Sequence, residues 1–156
     1  MRFIVTIIAL LGALASSPAL AQAFDDPRGL IEWVYAPYLR GEIPEDYPKD
    51  QFTPTLRQLW DDMEQRSEAA DMPILDFDPF INGQDFELSD LVVADPLIEG
   101  DAATVVATFL NFGTPQEMRF TLERRADGWK IDDLESVSEE YAYRLSEILA
   151  ADPLLN

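Results

Sequence analysis

The stretch from Leu88 to Leu134 limits the fold more than any other part of the chain. Four β-rich runs, Leu88 to Ala94, Ala102 to Phe112, Gln116 to Arg125 and Trp129 to Leu134, follow one another with only short turn sequences between them. Links of that length cannot hold a crossover helix, so neighbouring strands must pair antiparallel, as a four-stranded meander. The turns are Pro96 to Asp101, Gly113-Thr114-Pro115 and Ala126-Asp127-Gly128, the last a strong hairpin signal. In the third run Met118, Phe120 and Leu122 alternate with Arg119, Thr121 and Glu123, which gives one core face and one partly wet face. The second run is apolar on both faces, because Val105, Ala107 and Phe109 alternate with Val106 and Leu110. Helices can cover one side of it. On the outer sheet face the candidate cover is a second copy of the chain, in a homodimer.

Helical periodicity brackets this sheet. Asp26-Pro27 reads as an N-cap followed by proline at the first helical position, and Leu30, Ile31, Val34 and Tyr38 then share a face. Pro37 predicts a kink or an end to that helix near Ala36. Arg40 to Gln51, with Gly41, Pro44 and Pro48, reads as a loop. Thr53-Pro54 starts a second helix whose stripe is Leu56, Leu59, Trp60 and Met63, ending between Ser67 and Ala70. From Asp71 to Glu87 the chain is irregular but apolar enough to be packed. Ser138 is placed as the cap of a third helix, Glu139 to Ala150, with Tyr141, Leu145 and Ile148 or Leu149 facing inward. The expected architecture is α+β, with N-terminal helices on the concave face of a curved sheet and a C-terminal helix.

Residues 1 to 23 are set apart from this domain. Arg2, an apolar run from Phe3 to Leu14, and a small-residue stretch ending Ala19-Leu20-Ala21-Gln22-Ala23 make a secretory signal peptide, with cleavage after Ala21 or after Ala23. The apolar run is shorter than the roughly 20 residues a spanning helix needs. The expectation is a periplasmic or secreted protein, one domain over 24–156, with no stable membrane insertion after cleavage.

Composition then removes whole classes of chemistry. The chain has no cysteine and no histidine, and carries 30 Asp+Glu against 11 Lys+Arg for a net charge of −19. Disulfides, Cys or His metal sites and His-based nucleophile systems are excluded. Nucleic acid and anionic lipid surfaces would repel such a chain. The aromatic and apolar content is nonetheless that of a folded domain.

At Asp78-Pro79-Phe80 and Gln84-Asp85, then Ala103-Thr104-Val105-Val106 and Gly128-Trp129-Lys130-Ile131-Asp132-Asp133, the sequence resembles an exported bacterial family known as a domain of unknown function. That family lies within the cystatin-like superfold that includes nuclear transport factor two and ketosteroid isomerase. The resemblance implies a cystatin-like fold and an envelope setting, and no established reaction. Relatives in that family often carry a lipobox cysteine, which this chain lacks.

The densest polar stretch is Asp76 to Asp85. Its carboxylates and amides are oxygen donors of the kind calcium takes, but the spacing departs from an EF-hand, with Asn82 and Gly83 two places late. The plainer reading has Asp78 and Asp85 capping local turns. A second candidate is the cone between helices and sheet, which Trp33, Tyr35, Tyr38, Trp60 and Phe109 could line. The candidate ligand-binding set drawn from both is Trp33, Tyr38, Asp78, Phe80, Gln84 and Asp85. The primary reading is a non-catalytic binding domain for a small ligand or an envelope protein, with no metal, cofactor or catalytic residue assigned. The alternative is a small enzyme using an Asp and a Tyr for proton transfer. Arg119, Arg124, Arg125 and Lys130 form either an anion-binding patch or cross-strand pairs with Glu123, Asp132 and Asp133.

Overall fold

The computed structural model describes residues 22–44, 46–138 and 141–151. The proposed leader, save Gln22 and Ala23, lies outside the described residues. Helix α1 (Pro27–Leu39) starts where the sequence places it: Asp26 accepts hydrogen bonds from the Arg28 and Gly29 backbone N–H groups at 3.3 and 3.0 Å. It does not stop at Ala36. Pro37 sits in the last turn, and its carbonyl takes the Arg40 and Glu42 N–H groups at 2.9 and 3.0 Å. A proline so near the end loses little helix to disrupt. After a 3₁₀ turn at Lys49–Gln51, α2 (Pro54–Ala70) is capped by the Thr53 hydroxyl, which accepts from Leu56 N–H at 3.3 Å. Asp71 ends it in the left-handed region with φ 51°.

The sheet is antiparallel and has six strands, not four. They are β1 (Leu88–Val93), β2 (Leu97–Glu99), β3 (Ala102–Asn111), β4 (Thr114–Arg125), β5 (Gly128–Ser136) and β6 (Tyr143–Arg144), in the order β1-β3-β4-β5-β6 with β2 also on β3. β1 and β2 lie end to end along β3, pairing Val93 with Ala107 and Leu97 with Thr104. Asp95-Pro96 falls in the gap, where proline has no N–H to give a ladder. The expected first turn therefore contains a strand.

The C-terminal helix is shorter than its sequence pattern. Tyr143 and Arg144 pair with Ser136 and Glu135 as β6, and α3 is only Leu145–Ala150. Ser138 does not cap it; its hydroxyl accepts from Glu117 N–H at 3.3 Å and donates to Gln116 Oε1 at 3.0 Å. Tyr141 is exposed rather than part of the inward stripe. Pairing with the open edge of β5 satisfies backbone groups that a longer helix would leave bare. Arg66 of α2 donates to the Leu149 and Ala151 carbonyls, tying the end of α3 to the domain.

One apolar layer results. β3 buries alternate residues, Ala103 to Asn111, and β4 buries Met118, Phe120 and Leu122. Against them lie Leu30, Ile31 and Tyr35 of α1 and Leu56 and Trp60 of α2, all 0 to 1% exposed. Val106 and Leu110, on the outer face, are half-buried.

Candidate functional site

The Asp-Pro-Phe stretch forms a tight hairpin-like turn. Asp78 N–H donates to the Gly83 carbonyl at 2.9 Å, and Gly83 N–H returns to the Asp78 carbonyl at 3.4 Å. Asn82 supplies the positive φ of 53° that the reversal needs, and its amide nitrogen reaches Gln116 Oε1 at 3.0 Å and Ser136 Oγ at 3.2 Å.

Three tyrosine hydroxyls converge on this turn from two sides. Tyr38 of α1 donates to Asp78 Oδ2 at 2.5 Å, Tyr35 to the Phe80 carbonyl at 2.8 Å, and Tyr143 of β6 to the Pro79 carbonyl. Asp78 Oδ1 accepts the Phe80 N–H at 2.8 Å. Both carboxylate oxygens thus hold the turn in place. Burial pushes the Asp78 carboxyl above its ordinary range, although the bonds from Tyr38 and Phe80 N–H pull the other way. Burial, reinforced by the Asp78 charge, also pushes Tyr38 and Tyr143 well above the usual phenol value. Burial raises Tyr35 too, ahead of the nearby Tyr143 and Asp78. Tyr47 is pushed up to about 12 by burial and by Asp78.

These shifts predict alkaline lability. A phenol whose folded pKa exceeds its unfolded value of about 10 contributes stability that is present below about pH 10 and lost as pH rises through the folded value. Tyr47 should titrate near 12, while Tyr35, Tyr38 and Tyr143 should release their protons only as the fold opens. Tyrosinate absorbance followed alongside circular dichroism checks this. Complete phenol ionisation near pH 10 with the fold intact would contradict the described packing.

The turn separates two open clefts. One, of about 630 Å³, is lined by Gly41, Ile43, Tyr47, Leu75, Phe77 and Phe86, with Asp76, Asp78, Gln84 and Asp85 contributing polar atoms. The other, of about 620 Å³, lies between Phe77, Asn82, Tyr141, Tyr143 and Ile148. Among the described residues, no hydrogen bond or ion pair engages the carboxylates of Asp76 or Asp85. Only their backbone carbonyls are used, by Gln84 Nε2 at 3.2 Å and Asn111 Nδ2 at 3.3 Å.

The six candidate residues therefore part company. Asp78, Gln84 and Asp85 meet in the first cleft, and Tyr38 touches that site through Asp78. Phe80 is 0% exposed, stacked between Phe120 and Phe52 with centroids 6.3 and 6.5 Å away. Trp33 is 38% exposed, packed on Phe24 and away from the first cleft, and with Tyr38, Pro37 and Pro44 it lines a recess of about 300 Å³. The cone is filled by its own aromatics, since Tyr35, Trp60 and Phe109 are 0, 1 and 3% exposed. Tyr47, Ile43, Asp76 and Asn111 were absent from the sequence-derived set. Asn111 carried a signal: it is the one amide at an inward position of β3, and its Oδ1 accepts Glu87 N–H at 3.0 Å.

The basic residues of β4 and β5 are engaged by neighbouring side chains, across the ladder at Arg119 and Arg124 but within the strand or turn at Arg125 and Lys130. Arg119 pairs with Glu135 at 2.7 Å, Arg125 with Glu123 at 2.8 Å and Lys130 with Asp127 at 3.2 Å. The Arg124 guanidinium lies over Trp129, 5.8 Å from the ring centroid. No metal-holding group of three or more acidic side chains occurs among the described residues, and no helix there is long and apolar enough to cross a membrane.

No protein-family model matches this chain, and no curated protein matches it in sequence. A chain of the type VI native effector–immunity complex Tae3–Tai3 from Ralstonia pickettii is similar in structure, with a TM-score of 0.49 and 20% identity over 75% of this chain and 99% of that one.

Proposed function

We propose that this chain is an exported, non-catalytic binding domain of the cystatin-like type, and that it takes a basic segment of an envelope protein into the cleft lined by Gly41, Ile43, Tyr47, Leu75, Phe77 and Phe86. The observation that carries this reading is the pairing of an apolar floor with two carboxylates, Asp76 and Asp85, that are unengaged among the described residues at the cleft. A lysine or arginine laid there can bury its methylene stem on Leu75, Phe77 and Tyr47 while its charge meets carboxylate. The net charge of −19 steers such a partner.

Two further observations separate this from its rivals. A small apolar ligand enclosed between helices and sheet would need the cone, which Tyr35, Trp60 and Phe109 occupy. An enzyme using an Asp and a Tyr would need a carboxylate oxygen left for its substrate, whereas Asp78, the one Asp bonded to a tyrosine hydroxyl among the described residues, spends both oxygens on Tyr38 and Phe80.

Amide NMR with a short peptide of alternating arginine and leucine tests the proposal. Shift changes should be confined to residues 41–47 and 75–86, weaken as salt rises, and be at least several-fold weaker in an Asp76→Asn, Asp85→Asn double variant. Changes that map elsewhere, or that survive the double variant, would overturn it.

A further inference from the structure

Cleavage after Ala21 and after Ala23 satisfy the small-x-small rule equally well in sequence. The folded domain distinguishes them. The Gln22 carbonyl accepts a hydrogen bond of 2.9 Å from Gln51 Nε2, and Gln51 is only 2% exposed. The other end of that amide is occupied as well, because Gln51 Oε1 accepts from Lys130 Nζ at 3.3 Å. Two residues further on, Phe24 is buried and its carbonyl accepts Trp129 N–H at 2.8 Å. The Phe24 backbone nitrogen lies 2.8 Å from where a Cβ on Gly128 would stand. It is therefore wedged against the first residue of β5.

A chain beginning at Phe24 would lose the Gln22 carbonyl and leave a buried amide donor without its acceptor. It would also place a terminal ammonium at the wedged nitrogen, where there is little room for water. A chain beginning at Gln22 keeps the acceptor and carries its terminus on an exposed residue.

We infer that processing cuts after Ala21, that the working chain begins with Gln22, and that this residue closes to pyroglutamate. The inference rests on reading residues 1 to 21 as a leader. In the closure the free α-amino nitrogen of Gln22 attacks its own side-chain carboxamide carbon. A carbon–nitrogen bond forms within the ring, the bond to the amide nitrogen breaks, and that nitrogen takes an amine proton and leaves as ammonia. No oxidant or reductant is involved. The reaction consumes only the α-nitrogen and the side chain, so the carbonyl that holds Gln51 is untouched.

The test is intact-mass and N-terminal peptide analysis of the protein exported with its own leader. The expected product begins at Gln22 and is lighter than the open form by one ammonia. A product beginning at Phe24 would overturn the inference and leave the leader reading standing, whereas one beginning at Met1 would remove the leader reading itself. An open Gln22 terminus would reject the ring closure. Versions released from a cleavable fusion at Gln22 and at Phe24 should differ in melting temperature by several degrees, the Phe24 form being lower. Equal melting would overturn the anchoring argument.

Discussion

Replacing Gly128 with alanine is expected to destabilise the domain by about 3 kcal/mol, summed from backbone strain and a lost buried hydrogen bond. A Cβ there would stand 2.7 Å from the Phe24 carbonyl oxygen and 2.8 Å from its nitrogen, contacts with backbone that cannot swing away. The residue also holds φ +107°, outside the range an L side chain adopts readily. Relief would require the N-terminal segment to lift, breaking the 2.8 Å bond from Trp129 N–H to Phe24 and the packing of Phe24 on Trp33. Gly100→Ala is the control, because Gly100 has φ +66° but nothing within 4 Å of its would-be Cβ. Urea denaturation should show the Gly128 variant to be clearly the weaker of the two. Equal midpoints would mean that the segment from Gln22 to Phe24 is not docked on β5.

Phe80→Ala should cost about 3–5 kcal/mol, the range for removing a fully buried ring. Its ring is enclosed by Phe52, Phe120 and Tyr47, the last with centroids 6.1 Å apart, and its backbone carries the Tyr35 and Asp78 hydrogen bonds. The loss should spread to the Asp78–Gly83 turn and so to the cleft wall. Gln84→Ala, an exposed change a few residues on, should stay within about 0.5 kcal/mol. Together the two variants separate a ring that builds the site from one that faces a ligand. A Phe80 variant as stable as the Gln84 variant would return Phe80 to the ligand-facing set.

This contrast shows how far the sequence reaches. The period-2 pattern of β3 and β4 and the Asp26 and Thr53 caps are local, and local rules found them. Cross-strand pairing was likewise anticipated in kind at Arg119, which meets Glu135 across the ladder rather than Glu123, whereas Arg125 pairs with Glu123 along its own strand. The break between β1 and β2, the strand at Tyr143–Arg144 and the shortened α3 depend on which sheet edge was left unpaired. Edge pairing is a property of the assembled sheet, and helical periodicity after Ser138 could not report it.

The candidate site divides along the same line. Asp78-Pro79-Phe80 was legible as the distinctive turn, with Asp78 as a capping residue. The sequence could not show that Tyr35, Tyr38 and Tyr143, up to 108 positions apart in the chain, would all donate to it. Nor could it show that Trp33, which lines a recess with Tyr38, would not reach the turn as Tyr38 does. Neighbours on a helix diverge by about 100° per residue, so which of them reaches a loop is decided by how the helix is rotated on the sheet.

By itself, then, the sequence determined the α+β class, the antiparallel pairing of the β-rich runs, the acidic surface and the exclusion of thiol and imidazole chemistry. Each of these depends on residue type or short-range spacing alone. Only the tertiary structure decided that the aromatic cone is filled, that Asp78 is committed to internal bonds while Asp76 and Asp85 stay unengaged among the described residues, and that the Gln22 carbonyl is held by Gln51. These outcomes depend on contacts between segments distant in the chain, whose relative placement is set when the helices close over one face of the sheet.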